Sequence, residues 1–221
     1  MKLTVFNGSP RGKRSNTKIL LEHFINGFMT TDGNTYEIFY LNRLKDSDKF
    51  VKSFQEAEQV LLAFPLYTDA MPAMVKTFIE SLAPFCRGEG NPAIGFIVHS
   101  GFPEATQSRY VERYLEKLTR RLGCKYTGTV IKGGTEGIQV QPPLMTRKLF
   151  KSFYGLGKTF GKTGAFDKQI VLKLAKPERL TVLRLWTFRL LSKIGLTNFY
   201  WDSQLKKNNA YEKRFAKPYA K

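Results

Sequence analysis

Ser9, Arg11, Ser15, Asn16 and Thr17 place five hydrogen-bonding side chains within nine residues, in the run Gly8-Ser9-Pro10-Arg11-Gly12-Lys13-Arg14-Ser15-Asn16-Thr17. Such a set is suited to holding an anion, because hydroxyls, an amide and a guanidinium supply donors and charge. A short apolar run, residues 3–7, leads into it, and an amphipathic pattern opens at Ser15-Asn16-Thr17. The segment therefore reads as strand, loop and helix N-terminus. The unpaired N–H groups of a first helical turn, and the positive end of its dipole, favour a bound phosphate. The competing reading is a plain turn with a helix cap, since Ser, Asn and Thr are common capping residues.

The elements that must position this loop alternate between apolar runs and helical patterns as far as residue 140. Strands are expected at residues 3–7, 35–41, 59–65, 93–99 and 125–132. Helices are expected at 17–28, at 72–82 with Pro72 in the first turn, and at 104–122, ended by Gly123. Helix 17–28 puts Ile19, Leu20, His23, Phe24 and Phe28 near one face, so His23 reads as a packing residue. Strands separated by helices imply right-handed parallel crossovers, and the near-continuous apolar run 60–64 fits a sheet covered on both faces. In such a sheet ligands sit at the carboxyl ends of the strands. Three loops qualify: residues 8–15, 65–71 and 100–104.

The chain has 221 residues and a net charge of +18, unevenly spread. Residues 1–140 carry +4, and residues 141–221 carry +14, with 18 Lys and Arg against 4 Asp and Glu. The expected division is a domain over 1–140 and a basic, mostly helical extension over 141–221. No apolar run reaches the roughly 18 residues that a membrane span needs, and the polar start is no signal peptide. Cys86 and Cys124 stand far apart in no metal-ligand spacing. Both read as small buried groups in a reducing, cytoplasmic setting, and no metal is expected.

Neither G-x-x-x-x-G-K-[ST] nor G-x-G-x-x-G follows the first strand. A Walker loop and an ordinary dinucleotide fold are thereby disfavoured. Instead, Gly8-Ser9-Pro10-Arg11 with Ser15-Asn16-Thr17 resembles the first motif of the flavodoxin-like NAD(P)H-dependent FMN reductases. The block from Pro65-Leu66-Tyr67 through Met71-Pro72 to Lys76-Thr77-Phe78-Ile79-Glu80 resembles that family's second loop, and Ser100-Gly101-Phe102 falls where it has a variable flavin-contacting loop.

The resemblance implies an α/β, flavodoxin-like, doubly wound five-stranded parallel sheet, with FMN as cofactor and NADPH or NADH as co-substrate. It implies Ser9, Arg11, Ser15, Asn16 and Thr17 around the FMN phosphate. Pro65, Leu66, Tyr67 and Met71 would border the isoalloxazine, with Ser100 and Gly101 at its far edge. No protein acid or base is required, since hydride passes directly between nicotinamide and flavin. Related iron–sulfur flavoproteins carry a cysteine cluster after strand three, but here Cys86 stands alone, which excludes such a centre. His99 reads as a structural residue, and Asp69 and Glu104 as solvated loop carboxylates.

The implied activity is reduction of a quinone, flavin or other small acceptor by a homodimer or homotetramer. A flavodoxin-type electron carrier is the alternative from another class. Residues 178–196 read as a helix with Leu180, Leu183, Trp186, Leu190, Leu191 and Ile194 along one stripe. The first reading of the extension is packing on the domain or across a dimer interface. The second is contact with an anionic membrane, which would make a membrane-associated quinone reductase. Nucleic acid comes third. The aromatics of residues 198–219 are expected to pack on something.

Overall fold

Uninterrupted apolar runs form the centre of the sheet. β3 (Gln59–Pro65) and β4 (Ala93–His99) are buried at every position after the first, as is β1 (Lys2–Asn7). Strands covered on both faces have this pattern. β2 (Thr35–Tyr40) and β5 (Lys125–Lys132) are more exposed and form the edges of an all-parallel sheet ordered β2-β1-β3-β4-β5. This computed structural model describes all residues but Arg87, Glu89, Ile194, Pro218, Ala220 and Lys221, and gives no side-chain description for Leu196, Phe199 and Tyr200. β3, β4 and β5 have the bounds expected from the sequence, while β1 begins one residue earlier and β2 ends one earlier.

Helices close both faces. α2 (Ser47–Gln55), α3 (Ala73–Ser81) and α4 (Thr106–Arg121) cover a core that includes Phe6, Phe39, Phe50, Phe54, Phe64, Phe78 and Phe96. α2 is not foreseen by the sequence reading; its only buried residues are Phe50 and Phe54, one helical turn apart in a charged segment. α1 (Asn16–Phe28), α5 (Pro143–Thr163) and α6 (Lys168–Leu174) cover the other face, around Leu3, Val5, Phe24, Phe28, Phe153, Phe160 and Phe166. His23 packs as expected, stacked 4.0 Å from the Phe150 ring.

α5 lies beyond residue 140 yet belongs to this compact unit, which runs from Met1 to Arg179; a second unit spans Leu180–Lys221. Three glycines bring its backbone against α1. A Cβ on Gly157 would stand 1.8 Å from the Phe24 carbonyl oxygen, one on Gly27 1.9 Å from that of Tyr154, and one on Gly161 2.7 Å from that of Phe28. The basic composition that separates α5 in the sequence lies on its exposed side, where Lys148, Lys151, Lys158 and Lys162 sit.

In the second unit, α7 (Val182–Lys193) buries none of its residues. Leu183 is 75% exposed, and Trp186 and Leu190 are each 64% exposed. Val182, Leu185 and Phe188 are exposed too, so the expected stripe is in fact an apolar surface around most of the helix; Ile194 lies outside the described residues. α8 (Phe199–Lys207) follows. Trp201, Phe215 and Tyr219 are largely exposed, and Arg214 lies over the rings of both Tyr211 and Phe215, 4.0 and 4.8 Å from their centroids. Among the described residues, no helix is long and apolar enough to cross a membrane. Cys124 is buried, but Cys86 is exposed, contrary to expectation, because the turn after α3 leaves it at the surface.

Gly157→Ala should destabilise the protein by roughly 1–3 kcal/mol or more, because the added methyl has only backbone to displace. Urea unfolding of the two proteins measures this, and equal midpoints would contradict the close α1–α5 approach.

Candidate functional site

The loops after β1, β3 and β4 lie side by side, because these strands are neighbours in the sheet, and the order reverses between β1 and β3. Ser9, Arg11, Ser15, Asn16 and Thr17 sit on the first loop and the start of α1. Pro65, Leu66, Tyr67 and Met71 sit on the second, and Ser100 and Gly101 on the third. The topology thus gathers all eleven expected residues at one end of the sheet.

The first loop is fastened by its own side chains. Ser9 N–H donates to Asn7 Oδ1 (2.9 Å), and Gly12 N–H to the Ser9 carbonyl (3.0 Å). Gly12 takes a φ of +52°, where glycine is at little disadvantage. Gly8 passes so close to α3 that a Cβ would meet Val75 Cγ2 at 2.3 Å. Ser15 is the N-cap of α1: its Oγ accepts from Lys18 N–H (3.1 Å) and donates to the Gly12 carbonyl (2.6 Å).

His99 joins this loop to two others. Its Nδ1 lies 2.8 Å from Thr135 Oγ1, and its Nε2 lies 2.7 Å from Thr17 Oγ1. The Thr135 hydroxyl donates its one proton to the Ser100 carbonyl (3.0 Å), so it accepts from His99 Nδ1–H. Nε2 is then the acceptor and Thr17 the donor. Burial holds the His99 pKa down to about 3, so the imidazole is neutral in the folded protein. Asn16 makes the other connection, donating from Nδ2 to the carbonyls of Thr135 (2.8 Å) and Glu136 (3.1 Å).

These bonds revise the roles expected from the sequence. The hydroxyl protons of Ser15 and Thr17 and the amide protons of Asn16 are directed into the protein, and all three residues are buried. The donors left for a ligand are the Ser9 hydroxyl, the Arg11 guanidinium and the N–H groups of Asn16 and Thr17 in the first turn of α1. Arg11 is 3.6 Å from the Glu136 carboxylate. Asn16 Oδ1 is a buried acceptor with no hydrogen-bond partner. It suits a ligand hydroxyl.

On the second loop, Pro65 is buried, and the Leu66 side chain turns into the core while its N–H donates to the His99 carbonyl (2.7 Å). Tyr67 is exposed and paired with Ala70 through a tight turn, in which Thr68 is held at φ +48°. Strained turns of this kind are common at ligand sites. Met71 lines an apolar cleft of about 380 Å³ with Asp69, Ala70, Lys76, Tyr110 and Tyr114. Ser100 Oγ donates to the Phe102 carbonyl (3.3 Å), and Gly101 is exposed.

Two further contributors are not singled out by residue pattern: Asn7, whose side chain holds Ser9 and Ser15, and the loop after β5. That loop, Gly133-Gly134-Thr135-Glu136-Gly137, carries the glycine signal that would have made it a fourth strand-end loop. Among the described residues no group of His, Cys, Asp and Glu is arranged to hold a metal ion.

The profile of the family described as flavodoxin-like fold matches residues 1–148, and the chain belongs to that family. Solved structures share the architecture. One is an FMN-dependent NADH-azoreductase from Bacillus anthracis in complex with FMN, with a TM-score of 0.56 and 14% identity over 72% of this chain and 99% of that one. An NADPH-quinone reductase from P. pentosaceus gives 0.53 and 16% over 70% and 96%. An NADH:FMN oxidoreductase in its apo form gives 0.57 and 13% over 80% and 96%. At these identities the likeness is one of fold. No curated protein sequence matches the chain.

Because His99 stays neutral down to about pH 3 while an unfolded imidazole protonates near 6.5, falling pH favours the unfolded state between those values. Stability from this group alone should fall by up to about 1.4 kcal/mol per pH unit in that window. Thermal unfolding from about pH 7.5 to pH 4.5 should show a steeper loss in the native protein than in His99→Gln. Parallel losses would contradict a buried, neutral His99.

Proposed function

We propose that this protein is an FMN-dependent oxidoreductase that takes hydride from NADPH or NADH and reduces a quinone, flavin or other small acceptor. The observation that carries the reading is the donor set of Ser9, Arg11 and the α1 N-terminus at the point where strand order reverses. An FMN phosphate fits there, because the free donors face a helix N-terminus and Arg11 supplies charge. Asn16 Oδ1 would accept from a ribityl hydroxyl. Tyr67 and Met71 offer apolar surface for the ring, with Pro65 and the Leu66 carbonyl behind it and Ser100 and Gly101 on the far side. When bound, FMN supplies the hydride-accepting and electron-donating chemistry. The protein's part is to hold the phosphate, shape the wall and leave one ring face open. Ser15, Thr17 and the remainder of Asn16 keep the loop in position, with His99 as its anchor.

The solved relatives named for NADH-azoreductase, NADPH-quinone reductase and NADH:FMN oxidoreductase activity support this reading. A homodimer or homotetramer belongs to it, with a second copy covering the exposed Tyr110 and Tyr114 beside the cleft. Quenching of FMN fluorescence by the full chain tests the assignment. Ser9→Ala and Arg11→Met should each weaken binding by about tenfold, the effect of losing one charge-assisted hydrogen bond. Unchanged affinity in both would contradict it.

One observation favours membrane association of the same enzyme. α7 exposes apolar side chains around most of its circumference, and residues 180–201 hold Arg184, Arg189 and Lys193 with no Asp or Glu. Such a segment suits the interface of an anionic bilayer, where lipid-soluble quinones are found. Both tryptophans of the chain, Trp186 and Trp201, lie in this second unit, so their emission reports on it alone. Phosphatidylglycerol vesicles should shift that emission to the blue, and Leu183→Ser with Leu190→Ser should abolish the shift. An unshifted spectrum in the native protein would contradict membrane contact.

A further inference from the structure

The C-terminal end of β5 faces a second recess, separate from the cleft at Met71. It lies between β5, α5 and α6, has a volume of about 300 Å³, and is lined by Lys132, Lys148 and Lys173 over an apolar floor of Leu149 and Leu174, with Met145 at the exposed rim. No lining residue is acidic, and none of the three lysines forms an ion pair among the described residues. Elsewhere in this unit Lys2, Lys18, Lys52 and Lys76 each pair with a glutamate.

Lys132 is the informative member. It is the last residue of β5, and its side chain points to the α1–α5 face, as Val130 does two residues earlier. Burial holds its ammonium below the ordinary lysine value, with no carboxylate acting in the opposite direction. Desolvating a cation without a partner costs free energy. Here the missing partner has a place to sit: lysines from three elements line one recess that is open to solvent.

We propose that this recess binds a small organic phosphate, its dianionic head held by Lys132, Lys148 and Lys173 and its apolar portion lying over Leu149 and Leu174. The recess has about the volume of ten liquid waters, enough for a phosphate group and a short chain. Charge selects the head, because a phosphate monoester balances most of the three ammoniums. The apolar floor selects an ester over the free ion. One wall is Gly134, from the loop whose Thr135 and Glu136 carbonyls hold Asn16, so this recess and the FMN-facing loop share a boundary. The inference stands whether or not FMN binds.

The test uses the full chain, isotopically labelled and with excess FMN present, titrated at low salt with inorganic phosphate and, separately, with butyl phosphate. Backbone amide shifts are followed by NMR. Saturable shifts are expected at Gly134, Ser152 and Leu174, with butyl phosphate binding more tightly than the inorganic ion. Lys132→Met should weaken that binding by about tenfold or more. Because this substitution alters a half-buried position, Lys173→Ser at the exposed rim provides a second variant and should also weaken it. Shifts confined to residues 12–17 would overturn the proposal, as would the absence of saturation or affinity unchanged in both variants. Equal affinity for the two probes would overturn the assignment to an organic phosphate.

Discussion

A single uncharged imidazole ties together the ends of three strands. His99 closes β4, accepts from Thr17 in the first turn of α1, and donates to Thr135 in the loop after β5. Its own carbonyl accepts from Leu66 N–H after β3. Every loop that builds the candidate site is thus within one hydrogen bond of this residue. The arrangement works because each group has a defined role: Thr135 donates to Ser100, Nδ1–H donates to Thr135, and Thr17 donates to Nε2. A buried network of this kind is stable only when all its members are satisfied. It positions the N-terminus of α1 at the strand-order reversal, where the helix dipole and the remaining N–H groups would face the phosphate proposed above.

The sheet was legible because its signal is strong. Strands buried on both faces read as short apolar runs such as Val60-Leu61-Leu62-Ala63-Phe64, bounded by polar and turn residues. α2 was not legible, because two phenylalanines in a short charged stretch give little periodicity. That the three loops share one end of the sheet could be read, but the hydrogen bonds of their residues could not. Residue type shows that Ser15, Asn16 and Thr17 are donors; only geometry shows where the protons go. A histidine at the end of a strand and a Gly-Gly-Thr-Glu-Gly loop hold those partners, and nothing in the local sequence connects them to α1.

Net charge and packing divide the chain at different places. The excess of lysine after residue 140 describes surface, and α5 has both a basic surface and a core face of Phe153, Leu156 and Phe160. Its close seat on α1 depends on Gly27, Gly157 and Gly161, which contribute nothing to hydropathy or charge. Past Arg179 the pattern changes in kind: α7 is apolar and exposed, and the second unit carries nine Lys and Arg against two Asp and Glu. Much of the excess positive charge therefore falls on the outer face of α5 and on the second unit.

The most direct test of the account is an absorbance spectrum of the protein after incubation with FMN and removal of the excess, recorded anaerobically before and after addition of NADPH and then NADH. The account predicts retained flavin in about equal amount to protein, with bands that bleach on addition of at least one nucleotide. Bands that persist through both additions would contradict the reductase and point to an electron carrier. A protein that retains no flavin would contradict the site itself.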